Sequence, residues 1–386
     1  MSAMDLPSTV SAPSRTLASL TALLLAGTVL VSCTSTDGPR TPATSPGVGE
    51  PLSSAGVDAL RAEVVDYLGS QDIFDDVRVV LVATGDEVVL AEYQDTSPEE
   101  FADTRSITKS VMSTLVGIAV DRGLIDGVDA TLGKLLPDET MPRAVAGTTL
   151  EQVLTMTGGF VGSWSAPDEE FRASRDWVRA VLRDADPAAA GEFAYSDGGA
   201  HLLSAVLTEA TGMPVLRFAR SALLDPLGVD TRPAALPLAV ARNAPAYVAA
   251  DFAWPVDPQD RPLGWAGLKL RPEDLLALGR LVLQQGRWDG EQLVSAAWVA
   301  EATRTHVEAY GAAEGYGYLW WVDEVDGSPS ARAWGYGGQM VEVVPARDLV
   351  VVVASDVDPG PGLSRLAPDL FDYLVDEIVA PRFPAA

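Results

Sequence analysis

The chain has 386 residues, 47% of them hydrophobic, and its 54 acidic side chains against 27 basic ones give a formal net charge of −27. That length and apolar content supply a sizeable core, whereas the acidic balance excludes a surface built for nucleic-acid phosphates. One cysteine, Cys33, and two histidines, His201 and His306, exclude an intramolecular disulfide, a thiolate zinc or iron–sulfur site and a histidine-rich metal centre; no metal or organic cofactor is expected.

The first element in chain order is the apolar run RTLASLTALLLAGTVLVS, Arg15–Ser32, opened by one positive charge and bordered by small residues. It predicts a signal peptide over 1–32, outside the fold. A single transmembrane anchor is the alternative, although the run is short for a comfortable span. The run ends in LVSC, Leu30–Cys33, which resembles the bacterial lipobox. The resemblance implies cleavage before Cys33, lipidation of that cysteine and an extracytoplasmic body anchored to the cell membrane. Residues 33–55, rich in Thr, Ser, Pro and Gly, read as a flexible tether, and one domain is expected over 56–386.

Within that domain VDALRAEVVDYL, Val57–Leu68, has helical spacing, and VRVVLVATGDEVVLAEY reads as two strands around Thr84, Gly85 and Asp86. From about 106 to 227 helices and loops dominate, including DWVRAVLRDA and HLLSAVLTEATG with its terminal Gly212. Both histidines read as structural, His201 in that apolar helix and His306 in a polar stretch. QMVEVV and LVVVVAS flank the turn PARD, Pro345–Asp348, and LAPDLFDYLVDEIV predicts a closing helix. Strands at both ends around a helical insertion predict an α+β fold in which the N- and C-terminal segments complete one antiparallel sheet.

Three short stretches carry chemistry. In RSITKS, Ser106 and Lys109 at i and i+3 share a helix face, the placement of a nucleophile with its base; a helix N-cap followed by a surface lysine gives the same pattern. In EFAYSDGGAHLL, Tyr195 precedes a tight turn that presents its hydroxyl to a cleft. In RAWGYGGQMVEVVP, Gly335, Gly337 and Gly338 permit close approach of a ligand to a strand edge.

S-I-T-K at Ser106–Lys109, Y-S-D at Tyr195–Asp197 and the glycine-rich strand after Ala333 together resemble the three motifs of serine β-lactamase-related hydrolases. They are most similar to the branch of class C β-lactamases, D-alanyl-D-alanine carboxypeptidases and nylon-oligomer hydrolases. LEQVLTMTGGF at Leu150–Phe160, GLKLRPEDLLALGRLVLQQGRWDGEQLVS from Gly267 and YGYLWWV at Tyr316–Val322 extend the resemblance from about residue 60 to 380. Ser196–Gly198 also matches the S-D-N element of class A enzymes, but the long interval from Ser106 to Tyr195 resembles the class C-like branch.

The resemblance implies that Ser106 forms an acyl-enzyme, with Lys109 and Tyr195 sharing general-base work and the backbone N–H groups of Ser106 and Tyr336 holding the oxyanion. It places Asp197, Trp334, Gly335 and Gly338 against the substrate, and leaves Trp164, Trp265, Trp320 and Trp321 to packing. Two departures stand out. Ala333 occupies a position where relatives acting on β-lactams or D-alanyl peptides carry Lys or His, and Asp197 replaces the usual Asn. An ionised Asp197 can only accept hydrogen bonds and would favour protonated Lys109. The expectation is an envelope-anchored serine hydrolase acting on a small-molecule or peptide-like ester or amide without a carboxylate. A catalytically weak binding or scaffold lipoprotein of the same fold, and a D,D-peptidase or β-lactamase, are the alternatives.

Overall fold

The computed structural model describes residues 52–163, 166–232, 245–356 and 368–385, all within the unit Pro46–Ala386. The apolar run ending at Ser32, Cys33 and Trp164 lie outside the described residues. The first helix, Ser54–Leu68, starts slightly inside the stretch expected to be a tether, because the Ser53 hydroxyl caps it by accepting the Gly56 N–H at 3.2 Å. No helix among the described residues is long and apolar enough to cross a membrane.

Strands β1 (Val77–Thr84) and β2 (Glu87–Tyr93) form the first hairpin. β3 (Ala102–Asp103) pairs with β4 (Lys269–Leu270), and β5 (Arg287–Trp288) with β6 (Glu291–Gln292). The chain then runs through β7 (Val307–Glu308), β8 (Gly315–Tyr316), β9 (Trp321–Val325), β10 (Ser328–Gly335), β11 (Gln339–Val344) and β12 (Leu349–Ser355). The main sheet is antiparallel in the order β2-β1-β12-β11-β10-β9-β8-β7. The two ends of the chain meet at β1 and β12, in register from Thr84 opposite Leu349 to Val79 opposite Ala354, with a register shift before Val77 opposite Ser355.

Side chains alternate between the two faces of a strand, and here each face has its own core. Val80, Val82, Met340, Val351 and Val353 pack with the Ser54–Leu68 helix and the C-terminal helix, Pro368–Tyr373, which continues as a wider turn over Leu374–Val379. Val79, Leu81, Ala331, Ala333, Val341 and Val352 face the larger core that holds the helical region. At its centre lies the helix Ile107–Asp121, buried at every residue from Ile107 to Ala119, as its all-round apolar sequence requires. The result is the expected α+β fold, with helices inserted between the two hairpins and one helix end aimed at the sheet.

Candidate active site

Ser106 sits at the N-terminal boundary of the Ile107–Asp121 helix, with φ −72° and ψ −6°. The chain reaches it through a tight turn in which Arg105 adopts φ +52°, a left-handed conformation that costs a non-glycine residue on the order of 1 kcal/mol. The Asp103 carboxylate holds that turn by accepting the Arg105 N–H at 2.8 Å. The segment 265–268 laces it from below. The Thr104 N–H and Oγ1 both donate to the Leu268 carbonyl, at 3.0 and 2.8 Å, and the Leu268 N–H donates to Thr108 Oγ1 at 3.3 Å.

One helical turn on, Lys109 is almost completely buried, and its three ammonium donors have three acceptors. They are Ser106 Oγ at 3.2 Å, Asp197 Oδ1 at 2.7 Å and the Trp265 carbonyl at 3.2 Å. An ammonium has three donors and no acceptor, so this arrangement is that of a saturated, charged lysine. Burial pushes Lys109 toward losing its proton, but the charges of Asp197 and Tyr195 outweigh it and hold the group above the ordinary lysine value. Spacing at i and i+3 therefore does bring the hydroxyl and the amine together.

Tyr195 and Asp197 arrive on the turn before the helix Asp197–Thr211. Ser196 is the N-cap: its hydroxyl accepts the Gly199 N–H at 2.9 Å and donates to the Val161 carbonyl at 2.6 Å. The turn is pinned to residues 156–163 by the Ala194 N–H to the Met156 carbonyl, 2.9 Å, and by the Ser163 N–H to the Tyr195 carbonyl, 2.8 Å. The Tyr195 ring stacks on Trp321, centroids 5.5 Å apart and planes at 20°, and lies 4.5 Å from Lys109 Nζ. Tyr316, edge-on to both aromatics, is pushed well above the ordinary tyrosine value by burial and by its neighbours Tyr195 and Asp197, so it remains a neutral phenol.

Asp197 is itself buried, and its second oxygen is taken. Arg172, on the helix Ala166–Ala173, donates from Nη2 to Asp197 Oδ2 at 2.8 Å, and its guanidinium rests 5.4 Å from the Trp265 ring. The Asp197 side chain thus bridges two cations within the protein.

Family membership follows from the pattern. The model of the family described as Beta-lactamase matches residues 71–372. The chain belongs to the β-lactamase family. Solved structures of this fold similar to it include EstCE1, a hydrolase with promiscuous acyltransferase activity (18% identity, TM-score 0.64, covering 84% of this chain and 100% of that one). A Bacillus anthracis protein provisionally assigned as a 6-aminohexanoate-dimer hydrolase gives 15% identity and a TM-score of 0.61, covering 84% of this chain and 82% of that one. A penicillin-binding protein homologue from Caulobacter crescentus gives 16% and 0.58, over 82% and 97%. No curated protein sequence matches the chain. As a β-lactamase-family member it belongs with serine hydrolases on a β-lactamase/penicillin-binding-protein-like fold.

The third motif is only partly where the sequence suggests. Gly335 lies at the end of β10 against the nucleophile turn, so closely that a Cβ there would sit 2.6 Å from the Thr104 carbonyl oxygen and 3.0 Å from Arg105 Cβ. The close approach that this glycine permits is thus of the chain to itself. Gly337 and Gly338, at φ +87° and +85°, form the turn into β11; the Gly338 carbonyl accepts from Ser355 Oγ at 3.1 Å. In the pleat Trp334 pairs with Met340, while Ala333 pairs with Val341. That alternation turns Ala333 into the core of the Ile107–Asp121 helix, whereas the half-buried Trp334 packs against both cores, its ring 5.6 Å from Phe371.

Both histidines are structural. His201 is fully buried against Asp257, and His306 stacks on Tyr318 at 4.3 Å. Trp320 is core, whereas Trp265 contributes its carbonyl to Lys109 and Trp321 its ring to Tyr195. Arg172 and the Trp265 carbonyl carry no sequence signal: one is an arginine at the end of a short polar helix, the other a backbone atom.

Proposed function

We propose that the chain is a serine hydrolase of the esterase or amidase type, working through an acyl-enzyme on Ser106. The observation that carries the reading is the buried Lys109 Nζ, 3.2 Å from Ser106 Oγ and held there by Asp197 and the Trp265 carbonyl. A serine hydroxyl needs a neighbouring group to take its proton. Lys109 and Tyr195, in contact through the face of the phenol ring, share that task as a pair. The oxyanion is assigned to the Ser106 and Tyr336 N–H groups, a reading supported by the close approach of Gly335, next to Tyr336, to Thr104 and Arg105, next to Ser106. Losing one such donor typically costs on the order of a hundredfold to a thousandfold in rate.

Substrate class rests on Ala333. This fully buried methyl group faces the core that contains Lys109 and offers no cation to a substrate carboxylate, which favours a neutral ester or amide over a β-lactam or a D-alanyl peptide. Gly338 and Asp197 border the region where such a substrate would lie. The apolar segment Arg15–Ser32 and Cys33 support a lipid-anchored protein outside the cytoplasm.

The test is intact-mass spectrometry of residues 50–386 after exposure to a fluorophosphonate, with Ser106→Ala as control. A single adduct that disappears in the control supports the reading. A folded protein that takes no adduct favours a binding or scaffold role, for which the saturated Lys109 ammonium is the supporting observation. Turnover of a cephalosporin at the efficiency of a dedicated β-lactamase would overturn the substrate assignment.

A further inference from the structure

A bare carboxylate 2.7 Å from Lys109 Nζ would oppose the proposed chemistry. It would hold Lys109 as an ammonium. Asp197 is not bare. Its buried carboxylate receives Arg172 Nη2 at 2.8 Å on the oxygen that Lys109 does not use. We propose that Arg172 is a positioning residue whose charge offsets part of that of Asp197, so that the Arg172–Asp197 pair presents less negative charge to Lys109 than the carboxylate alone would. This rests on the hydrolase reading above and names what sets the working pH of that site.

The proton balance shows where the compensation acts. As Ser106 Oγ bonds the acyl carbon, its proton passes to the deprotonated form of the Lys109–Tyr195 pair. When the bond from the acyl carbon to the leaving oxygen or nitrogen breaks, the pair returns that proton to the leaving group and ends as it began. Asp197 raises the proton affinity of Lys109, and the Arg172 cation bound to its other oxygen acts in the opposite sense. An opposite charge at this range moves an ionisation by about one pH unit or more. The charged and titratable groups that face Asp197 are Lys109 from the nucleophile helix, Arg172 from the Ala166–Ala173 helix, Tyr195 from its own turn and Tyr316 from β8. Arg172 is held for the task. Its guanidinium lies over the Trp265 ring at 5.4 Å and beside the Phe171 ring at 5.6 Å, and Trp265 also supplies the third acceptor of Lys109.

The experiment is a pH profile of phosphonylation by a fluorophosphonate, in which the serine oxygen bonds phosphorus and fluoride leaves, for the wild type, Arg172→Gln, Asp197→Asn and the double variant, with denaturation midpoints measured on the same four proteins. Arg172→Gln should lose about tenfold in rate near neutrality, with its ascending limb moved up by about one pH unit. Asp197→Asn should move the limb down, and the double variant should return to within about threefold of the wild type. A limb that stays in place in Arg172→Gln, or a double variant that merely multiplies two losses, overturns the proposal. If the wild type takes no adduct, the hydrolase reading itself has failed. The charge pairing is then judged by the midpoints: recovery of the Arg172→Gln loss in the double variant supports it, and no recovery sinks it.

Discussion

Gly335 and Thr104 approach so closely that a single methyl group cannot be fitted between them: a Cβ on Gly335 would stand 2.6 Å from the Thr104 carbonyl oxygen. The end of β10 is thereby pressed onto the turn that carries Ser106. Gly335→Ala must push the two apart, and overpacking of this kind costs about 1–3 kcal/mol. The larger effect should fall on kcat, because the Tyr336 N–H moves away from the position of the oxyanion. A loss of about a hundredfold is expected with KM little changed. Michaelis kinetics on an activated ester, beside a thermal melt, would decide; an unchanged kcat in a folded variant would refute the assignment of that donor.

Trp334 neighbours Gly335 in sequence and is half-buried, packed against both cores. Its ring packs 5.6 Å from Phe371 in the core beneath the C-terminal helix. Trp334→Ala should therefore cost stability, about 2–4 kcal/mol, and leave KM within about twofold of the wild type. The pair of measurements is a urea titration and a KM. A large rise in KM at unchanged stability would return Trp334 to the substrate.

The two hairpins are legible in the sequence because alternating apolar runs flank short turns, and they meet as β1 and β12, the second and third strands of the sheet. The position of Ser106 relative to Lys109 is legible for an equally local reason, since helix geometry sets it. What the sequence withholds is long-range. Which face of β10 meets the nucleophile depends on how the strand docks, so Ala333 and Trp334 look equally eligible until the pleat separates them. Asp197 is visible as an odd residue beside a catalytic motif, but the sign of its effect depends on Arg172, a residue 25 positions away that joins it only through folding. The Trp265 carbonyl is a backbone atom and has no sequence signature at all.

On the far side of the sheet, Arg332 lies buried with Glu342 and Asp372, and Asp376 crowds the same spot with one carboxylate oxygen unpartnered. Burial, helped by repulsion from Asp372 and Glu342, pushes Asp376 up to about 6. Its native value lies above its unfolded value, so the native state binds the extra proton. Stability from this group is present at acid pH and is lost as pH rises through about 4 to 6. Asp376→Asn removes that dependence. Relative to the wild type it should gain on the order of 1 kcal/mol at pH 8, after discounting for the solvent that screens a half-buried group, and nothing at pH 4. Chemical denaturation at the two pH values would show it, and an equal shift at both would rule the mechanism out.

His201 and Asp257 form a fully buried pair, Nε2 to Oδ2 at 3.1 Å. The Gly264 N–H donates to His201 Nδ1 at 3.3 Å, so the ring proton sits on Nε2 and points at the carboxylate. Burial favours the neutral acid at Asp257, but the hydrogen bond from His201, with the N–H groups of Arg261 and Gln259, holds it below the ordinary aspartate value. Its stabilisation is therefore present above the unfolded value of about 3.9 and lost as pH falls through the lower native one. Asp257→Ala leaves the His201 N–H and two backbone N–H groups buried without acceptors, a loss of about 3–5 kcal/mol. Gly264 precedes Trp265, whose ring lies 5.2 Å edge-on to His201 and whose carbonyl receives Lys109, so the damage should extend to the active site. Native-state tryptophan emission should shift together with a fall in the fluorophosphonate rate. A variant that loses the stability but keeps both emission and rate would confine the pair to holding the fold, with no hand in placing the Lys109 acceptor.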